Sequence, residues 1–596
     1  MKVTERLFPA CQLGKSDYFV GGLLLLFCYV AFFQSDIYVT GWNSLNYLFG
    51  NPLEFYDNCK KIQGHGDFAS ANYPPTVFAI FAVWLYPFKL FGLIKSPFYF
   101  SPYLVYWLKL LTSLVYLATG LLFYQVTQVY QKNEKWGVYA TWLWLTSPIA
   151  IFSQFIFSQY DIFYVFLTLF GFLIFLKKQN YLASFLFGLA ITFKYFPFFV
   201  FIPLLLFFEK KIIKLILCGL IFLIPTFIIQ ALYIHSSAYI SGVLGFSVIA
   251  RVFSAGLIYG GQKIYYIFAI FSILVGIAYY LDNSYNYKKI AGFIFLFSSI
   301  FPFLFMLWHP QWLIFITPAM VLTTVLSSKD KISKFLIFDL CAMVFFIGFT
   351  VLSFQDNVDL AMFQGKLFNF PLKHFLNISI LFNLFKGFSS NVYLSLFWGY
   401  LVLQFILKYK FIDKKYILDS FFLYNNIRQR YYIGILIFLI PAIFMFIINF
   451  NNKDLYILST DKEKNFGELT ASRIFEQKFI AENGKLKQVD LFLSALSRQN
   501  NNYIQLEILN RDRKQLITFK RPERLLQDNG WESFKFKPIT LKKGELYFLR
   551  LTSPKSYNGN AITWLASAKP TYIRGAIVDG VPQNTDFTFK LRFENI

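Results

Sequence analysis

The chain has 596 residues, of which 57% are hydrophobic and 21% aromatic, whereas only 15% are charged. An ordinary soluble domain carries about 25% charged residues, and soluble cores divide into separate domains beyond roughly 300 residues. The composition therefore excludes a wholly soluble enzyme and a disordered chain, and it indicates a polytopic membrane protein. The formal net charge of +24 is typical of cytoplasmic loops that collect Lys and Arg, so no nucleic-acid partner is predicted.

The first 450 residues contain a series of apolar runs, each close to the roughly 20 residues that a spanning helix needs. About thirteen spans are predicted, at 18–34, 76–94, 103–126, 136–156, 161–176, 180–207, 211–233, 264–282, 289–308, 310–326, 333–353, 391–408 and 431–450, with a further candidate at 368–388. Strict alternation would place Lys177 and Lys178 outside, against the preference of basic loops for the cytoplasm. One span between 76 and 176 is therefore expected to be re-entrant, merged or divided.

Basic residues also predict the orientation of the chain in an inner or plasma membrane. Lys2, Arg6 and Lys15 flank the first span and place the N-terminus in the cytoplasm. The basic segment 408–430 precedes the last span, so the residues after 450 are predicted to be extracytoplasmic. Long loops, which are uncommon unless functional, are predicted at 35–75, 234–263 and 354–390.

The pattern changes at about residue 451, where apolar and polar residues begin to alternate. This alternation, interrupted by Asn, Gly and Pro clusters, predicts strands at 488–495, 503–509, 533–537, 546–551 and 586–593. About eight strands are expected in this region, which favours an all-β sandwich or jelly roll. The predicted domains are therefore a multi-span membrane domain at 1–450 and a β-sandwich at 451–596, with Trp531, Phe534 and Phe536 in the sandwich core.

An acidic residue, Asp36, stands at the outer end of the first predicted span. A carboxyl group at a membrane boundary is partly desolvated, which raises its pKa and suits it to accept a proton. The alternative is a solvated helix end, where an Asp costs little. The same loop continues through Asp57 and Asp67 and ends at Tyr73.

Two ionisable residues interrupt apolar runs further along the chain. Asp161 follows Ser158-Gln159-Tyr160, and Lys194 lies midway in the run 180–207. Charges at membrane depth are costly and usually line a cavity or a site. The alternatives are a short loop around Asp161 and a Lys194 side chain that extends to the interface.

A third motif reads Trp308-His309-Pro310-Gln311-Trp312. Its proline breaks the helix between two spans, and its aromatic residues suit the membrane interface. His309 has three open interpretations: a partner for a phosphate, a base, or a side chain among lipid headgroups. Arg251, in the second long loop, offers a bidentate fork for phosphate or is an idle exposed cation.

In this order, the motifs resemble those of the GT-C superfamily of polytopic glycosyltransferases, and more closely its bacterial mannosyltransferase-like branch that uses polyprenyl-phosphate sugars. The resemblance covers roughly residues 15–350 and is carried by Asp36, Tyr73-Pro74-Pro75, Gln159-Tyr160-Asp161, Lys194 with Pro197, and the Trp308–Trp312 motif. It implies a GT-C-like fold, a lipid-linked donor, a reaction on the outer face and an acid in the first outer loop as the base. The implied catalytic residues are Asp36 and Asp161, and the implied substrate-binding residues are Tyr73, Gln159, Lys194, Arg251, His309 and Gln311.

The sequence departs from the family pattern in its acids. Family members often carry two acids close together in the first loop, whereas the second acid here is Asp57 or Asp67. These two are also the candidate ligands if the enzyme needs a divalent cation. The segment after 450 lies outside the family core and is similar to jelly-roll, carbohydrate-binding-like domains of secreted proteins.

The predicted function is transfer of a hexosyl or pentosyl group from a polyprenyl-phosphate donor to an extracytoplasmic glycan, lipid or protein. One alternative is a transporter or flippase of a lipid-linked sugar, which would leave the long outer loop and the β domain without a role. The other is a non-catalytic scaffold for envelope polysaccharide assembly, which has no use for Asp36 or Asp161 at membrane depth.

Overall fold

The computed structural model describes the chain in two ranges. These are residues 15–411 and 455–594, with gaps at 33, 63–70, 98–101, 246–254, 282–286, 307, 328, 355–384, 386, 460–463, 482–484, 497, 527 and 568–571. The chain separates into two compact units, Met1–Phe444 and Met445–Ile596. The domain boundary predicted at 450 lies outside the described residues and stays a prediction, as does the last predicted span.

The first unit is helical. Its helices are α1 (Lys15–Ala31), α2 (Ser35–Phe49), α3 (Phe55–Ile62), α4 (Pro75–Leu90), α5 (Pro102–Tyr130), α6 (Glu134–Leu145), α7 (Pro148–Ile151), α8 (Ile162–Leu176), α9 (Asn180–Ile191), α10 (Pro197–Phe208), α11 (Ile212–Tyr233), α12 (Ser237–Tyr239), α13 (Tyr266–Tyr280), α14 (Tyr287–Phe305), α15 (Thr317–Val325), α16 (Lys329–Phe354) and α17 (Ser390–Phe411). Among the described residues, five helices are long and apolar enough to cross a membrane, namely α5, α11, α14, α16 and α17. The predicted class, an integral helical membrane protein, is confirmed, while the count of thirteen spans stays a prediction.

The apolar run 136–156 is not one helix. Helix α6 ends at Leu145, and Pro148 then starts a short helix that continues as a π-helical turn, Phe152–Ile156. A proline has no backbone N–H and clashes with the preceding turn, so the single span predicted here is divided. Residues 157–161 follow as a buried, non-helical connection.

The run 180–207 is also divided, into α9 and α10, on either side of Lys194. Pro197 begins the second helix, because a proline suits the first helical position, where its missing N–H has no intrahelical partner to lose. The sequence had placed Lys194 midway in a single apolar run, whereas the structure places it between two helices. The predicted span 310–326 likewise begins with a 3₁₀ helix, Pro310–Phe315, before α15.

The predicted long loops contain regular structure where they are described. The loop 35–75 includes α2, a 3₁₀ helix at Pro52–Glu54, and α3. The loop 234–263 includes α12, a π-helical turn at Ile240–Leu244, and a hairpin of β1 (Gly256–Tyr259) and β2 (Gln262–Tyr265). The loop 354–390 lies almost entirely outside the described residues.

A buried lysine holds the end of the first helix. Lys109 on α5 is fully buried, and its Nζ donates to the carbonyl oxygens of Tyr29 and Phe32. The last carbonyls of a helix have no intrahelical donor and carry partial negative charge. The ammonium group therefore anchors the C-terminal end of α1, directly before the segment that carries Asp36.

The second unit is all-β, as predicted. Its strands are β3 (Leu455–Ser459), β4 (Lys464–Asn465), β5 (Phe475–Ile480), β6 (Lys485–Ser494), β7 (Tyr503–Leu509), β8 (Gln515–Pro522), β9 (Gly530–Thr540), β10 (Leu546–Thr552), β11 (Thr563–Ala566), β12 (Ala576–Val578), β13 (Val581–Pro582) and β14 (Phe589–Glu594). One antiparallel sheet has the order β13-β12-β5-β10-β7-β8, and the other has the order β3-β14-β6-β11-β4 with β9 also paired to β6. Each of the predicted strands overlaps one of these.

The core of the sandwich differs from the prediction at one aromatic residue. Strand β9 buries its even-numbered face, so Phe534 is buried, while Trp531 lies on the opposite face beneath the Lys590 ammonium, 3.9 Å from the ring centroid. The central tryptophan is instead Trp564, which is fully buried and stacks on Phe587 with ring centroids 4.4 Å apart. Its Nε1 donates to the Thr588 carbonyl oxygen at 2.9 Å.

Candidate active site

Asp36 is fixed by the start of helix α2. The backbone N–H of Asp36 donates to Gln34 Oε1 at 2.6 Å, which makes Gln34 the side-chain cap of the helix. An acid in the first turn also interacts favourably with the helix dipole. With α1 anchored by Lys109, both sides of this short connection are held, so the half-buried carboxylate has a defined position.

Two glutamine amides hold the Asp36 carboxylate, and we call this pair, Gln159 and Gln311, the amide clamp. Gln159 Nε2 donates to Asp36 Oδ2 at 3.2 Å and to the Tyr73 hydroxyl at 2.6 Å. Gln311 Nε2 donates to the same Oδ2 at 3.3 Å and to Gln159 Oε1 at 3.1 Å. The four segments that bear these residues thus form one hydrogen-bonded network.

An ion pair lies beside the network. Lys194 Nζ lies 2.5 Å from Asp161 Oδ1, and the Tyr164 hydroxyl donates to the same oxygen at 2.8 Å. The aromatic rings around the ammonium group, with centroids 4.7–5.9 Å from Nζ, belong to Tyr160, Tyr164, Phe196 and Trp312. Cation–π attraction and the carboxylate together stabilise a charge in this apolar setting. Among the described residues, the buried Oδ2 of Asp161 has no hydrogen-bond partner.

The network and the ion pair influence each other electrostatically. Burial, and then the charge of Asp161, raise the pKa of Asp36 to about 6, although Lys194 and a hydrogen bond from Tyr73 act in the opposite direction. Burial also raises the pKa of Tyr73 well above its usual value, so its hydroxyl remains a donor at neutral pH. The rings of Tyr73 and Tyr160, 5.0 Å apart, form the physical contact between the two clusters. A carboxylate with such a pKa is suited to accept a proton near neutral pH.

His309 reaches the cluster through an aromatic contact. Its half-buried ring lies 5.2 Å from the ring of Trp312, which in turn faces Lys194 Nζ at 4.7 Å. The Ser153 hydroxyl on the π-helical turn donates to the Pro310 carbonyl oxygen at 3.0 Å. The motif around His309 is therefore fastened next to the segment that leads to Gln159.

Of the three remaining candidates, the structure describes only Asp57. Arg251 and Asp67 lie outside the described residues. Asp57 lies on α3, whose Phe55, Tyr56 and Cys59 pack in a separate aromatic cluster. The link between this helix and the site is a hydrogen bond from the Tyr56 hydroxyl to the Tyr73 carbonyl oxygen at 2.6 Å.

The acids of the site contact hydrogen-bond donors through one oxygen each. No group of three or more His, Cys, Asp or Glu side chains that could hold a metal ion occurs in the described part of the chain. Asp36 Oδ2 faces two amide N–H groups, and Asp161 Oδ1 faces an ammonium group and a hydroxyl. A divalent cation would have to displace these donors from the two oxygens, while Asp161 Oδ2 has no hydrogen-bond partner among the described residues.

Sequence reasoning assigned no role to three residues that shape the site. Gln34 caps α2, Lys109 anchors α1, and Tyr164 donates to Asp161. Only Tyr164 left a recognisable signal in the sequence, because it follows Asp161 by three residues at the start of an apolar helix. Residues three positions apart lie on the same helix face. The partners of Gln34 and Lys109 are backbone atoms, which a residue pattern does not reveal.

Comparisons with known proteins agree with the predicted resemblance. The family model of Glycosyltransferase family 87 matches residues 72–353, a segment that contains the amide clamp, the Asp161–Lys194 pair and Tyr73, while Asp36 precedes it. This match confirms the resemblance to GT-C membrane glycosyltransferases. A comparison with curated proteins finds no match.

One similar solved structure is the single-particle cryo-EM structure of the arabinosyltransferase EmbB from Mycobacterium smegmatis. The identity is 11% and the TM-score 0.28, with 94% of this chain and 66% of the EmbB chain covered. The chain thus spans just under two thirds of the length of EmbB. At this TM-score the alignment carries no weight for fold or function.

Proposed function

We propose that this GT-C-type membrane protein is a glycosyltransferase that moves a hexosyl or pentosyl group from a polyprenyl-phosphate donor to an extracytoplasmic glycan, lipid or protein. The family match over residues 72–353 supports the reaction class. The lipid-linked donor is supported by the absence of any glycine-rich nucleotide-binding motif from the sequence and by the five described helices that are long and apolar enough to cross a membrane.

The observation that carries the proposal is the convergence of polar residues from distant segments. Asp36, Gln159-Tyr160-Asp161, Lys194 and Gln311 all interrupt apolar sequence, and they meet in adjoining hydrogen-bonded and ion-paired clusters. Buried polar groups are costly unless paired, and buried charges more so. A chain that gathers this many of them at one place has a chemical use for them.

The reaction follows from the groups available. An acceptor hydroxyl oxygen attacks the anomeric carbon of the donor, and the bond from that carbon to the phosphate oxygen breaks. The electron pair leaves with the phosphate, and the hydroxyl proton passes to the Asp36 carboxylate. Charge then develops on the departing phosphate, and Lys194 is the cation that stabilises it, with His309 and Arg251 as further phosphate contacts.

The proposed role of Asp161 is indirect, because it stabilises and positions the Lys194 ammonium group. Its carboxylate, 2.5 Å from Lys194 Nζ, holds the ammonium group charged and in place in an apolar environment before the donor arrives. The orientation proposed from the basic loops puts Asp36 and the β domain on the extracytoplasmic side and the N-terminus in the cytoplasm. The donor lipid lies among the membrane helices.

The test is sugar transfer in proteoliposomes supplied with polyprenyl-phosphate hexoses and pentoses and a mixture of envelope glycans. Asp36→Asn keeps the shape of the side chain but removes the base, so turnover should fall about 10²–10⁴-fold, with donor binding affected much less. Asp57→Asn is the matched control, because it changes an acid of the same loop outside the cluster, and it should retain turnover.

Three results would contradict the proposal. Near-normal turnover by folded Asp36→Asn protein would remove Asp36 as the base. Movement of intact donor across the membrane without cleavage of the sugar–phosphate bond would favour a flippase. Polysaccharide assembly that survives alanine at both Asp36 and Asp161 would favour a scaffold.

A further inference from the structure

The two glutamines of the amide clamp have no hydrogen to spare for a sugar. A side-chain amide carries two N–H donors. Those of Gln311 go to Asp36 Oδ2 and Gln159 Oε1, and those of Gln159 go to Asp36 Oδ2 and the Tyr73 hydroxyl. If either amide were turned by 180°, its oxygen would face the Asp36 carboxylate, and two acceptors would repel each other. The network therefore fixes the orientation of both amide groups.

Gln311 is also held rigidly. It is 3% exposed and lies in the 3₁₀ helix that starts at Pro310, whose carbonyl oxygen accepts a hydrogen bond from Ser153. Both N–H groups of its amide are thus used within the protein, while its buried Oε1 has no hydrogen-bond partner among the described residues. The substrate-binding role expected for Gln159 and Gln311 stays a prediction, and the hydrogen bonds of their N–H groups favour a different role.

We infer that Gln311 is a positioning residue for Asp36: together with Gln159 it orients the carboxylate and favours its ionised form, and its N–H groups serve the carboxylate and not the sugar. The inference rests on the proposed function in that it assigns Asp36 as the base. A carboxylate that accepts N–H bonds is stabilised in its charged form. The clamp therefore opposes burial and the nearby charge of Asp161, in the same direction as Lys194 and the Tyr73 hydroxyl.

The first measurement is the pH profile of kcat/KM for Gln311→Met, which replaces the amide by an unbranched apolar side chain. Loss of one N–H donor should move the acidic limb about one pH unit higher, since a hydrogen bond to a charged group is worth roughly that much. The KM for the donor should stay within about twofold. Gln159→Met, which removes the other donor, should shift the limb in the same direction.

A matched control is available in Gln154. It is a buried glutamine on the neighbouring π-helical turn, and within the described residues its Nε2 has no hydrogen-bond partner. Gln154→Met should leave the limb where it is. A raised donor KM without a shifted limb in Gln311→Met would assign the residue to substrate binding, and an equal loss of rate at every pH would make its role merely structural. Either result overturns the inference.

The second measurement does not depend on activity. A hydrophobic carbodiimide modifies protonated carboxyl groups, so labelling of Asp36 against pH, followed by mass spectrometry, reports its protonation midpoint in the full-length protein. The midpoint should rise about one unit in Gln311→Met and stay constant in Gln154→Met. A shifted midpoint with no sugar transfer by the wild type would refute the proposed function alone, and transfer with an unshifted midpoint would refute this inference alone.

Discussion

Lys194 and Asp161 form an ion pair, with Nζ 2.5 Å from Oδ1, although 33 residues separate them in the chain. Each lies where an apolar run departs from regular helix, one in the connection before α8 and the other between α9 and α10. An isolated charge in an apolar interior is far more costly than a paired one. The two interruptions of the predicted spans thus have a common cause, since the chain must bring both side chains to one place.

The pair predicts an unequal effect of single and double substitutions. Lys194→Met leaves the Asp161 carboxylate buried without its counter-ion, which should destabilise the protein by about 3 kcal/mol. Asp161→Asn combined with Lys194→Met removes the unpaired charge and should recover most of that loss. Thermal unfolding followed by fluorescence-detected gel filtration in detergent measures both variants.

Function should not recover with stability. The double variant lacks the cation assigned to the phosphate, so its donor binding should stay weak even where its folded yield equals that of the wild type. Equal donor affinity in the double variant and the wild type would show that Lys194 is needed only to neutralise Asp161.

The pKa of Asp36 predicts a pH dependence of turnover. Burial and Asp161 raise it to about 6, and only the ionised form accepts a proton. Below that pH kcat/KM should fall about tenfold per unit, and above it the rate should reach a plateau. The donor is a phosphodiester that stays ionised throughout this range, so its own titration does not produce this limb. The residual activity of Asp36→Asn should show no such limb, and a limb that persists in this variant would assign the titration to another group.

Several residues of the site were recognisable in the sequence, but their contacts were not. Asp36, Asp161 and Lys194 each stand out as a charge beside or within apolar residues. Hydrogen bonds such as that from Gln311 to Asp36 join residues 275 positions apart, and no local pattern encodes such a pairing. The two glutamines were therefore expected to bind substrate, whereas their donors are used within the protein.

Alternation predicted the strands well because burial on one face is a local property. Side chains at odd and even positions of a strand face opposite sides, so Trp531 and Phe534, three residues apart, do not share a face. The sequence prediction placed both in the core and was wrong for Trp531. Which tryptophan occupies the centre of the core depends on how the two sheets pack. Trp564 lies in a strand of only four residues, which is too short to show a clear alternation of apolar and polar residues.

Protease accessibility tests the predicted orientation. The basic segment 408–430 before the last predicted span places the residues after 450 outside the cytoplasm. A protease added to intact spheroplasts should therefore remove an epitope fused at residue 596, while one fused at residue 1 stays protected. Protection of the C-terminal epitope, with cleavage only after lysis, would invert the topology and move the proposed site away from extracytoplasmic acceptors.

The β domain is expected to fold by itself. The second compact unit begins at Met445, and its described residues form two six-stranded sheets around a core centred on Trp564, without any cysteine after 341. A purified 455–596 fragment should give a β-type far-ultraviolet spectrum and a single cooperative melting transition.

Trp564→Ala removes a fully buried ring together with its hydrogen bond to Thr588, which should cost about 3–5 kcal/mol and abolish most of the transition. Trp531→Ala is the matched control, since this partly exposed ring lies outside the core, and its melting temperature should change little. A fragment that melts without cooperativity, or equal losses in the two variants, would show that the sandwich depends on the membrane domain or that its core lies elsewhere.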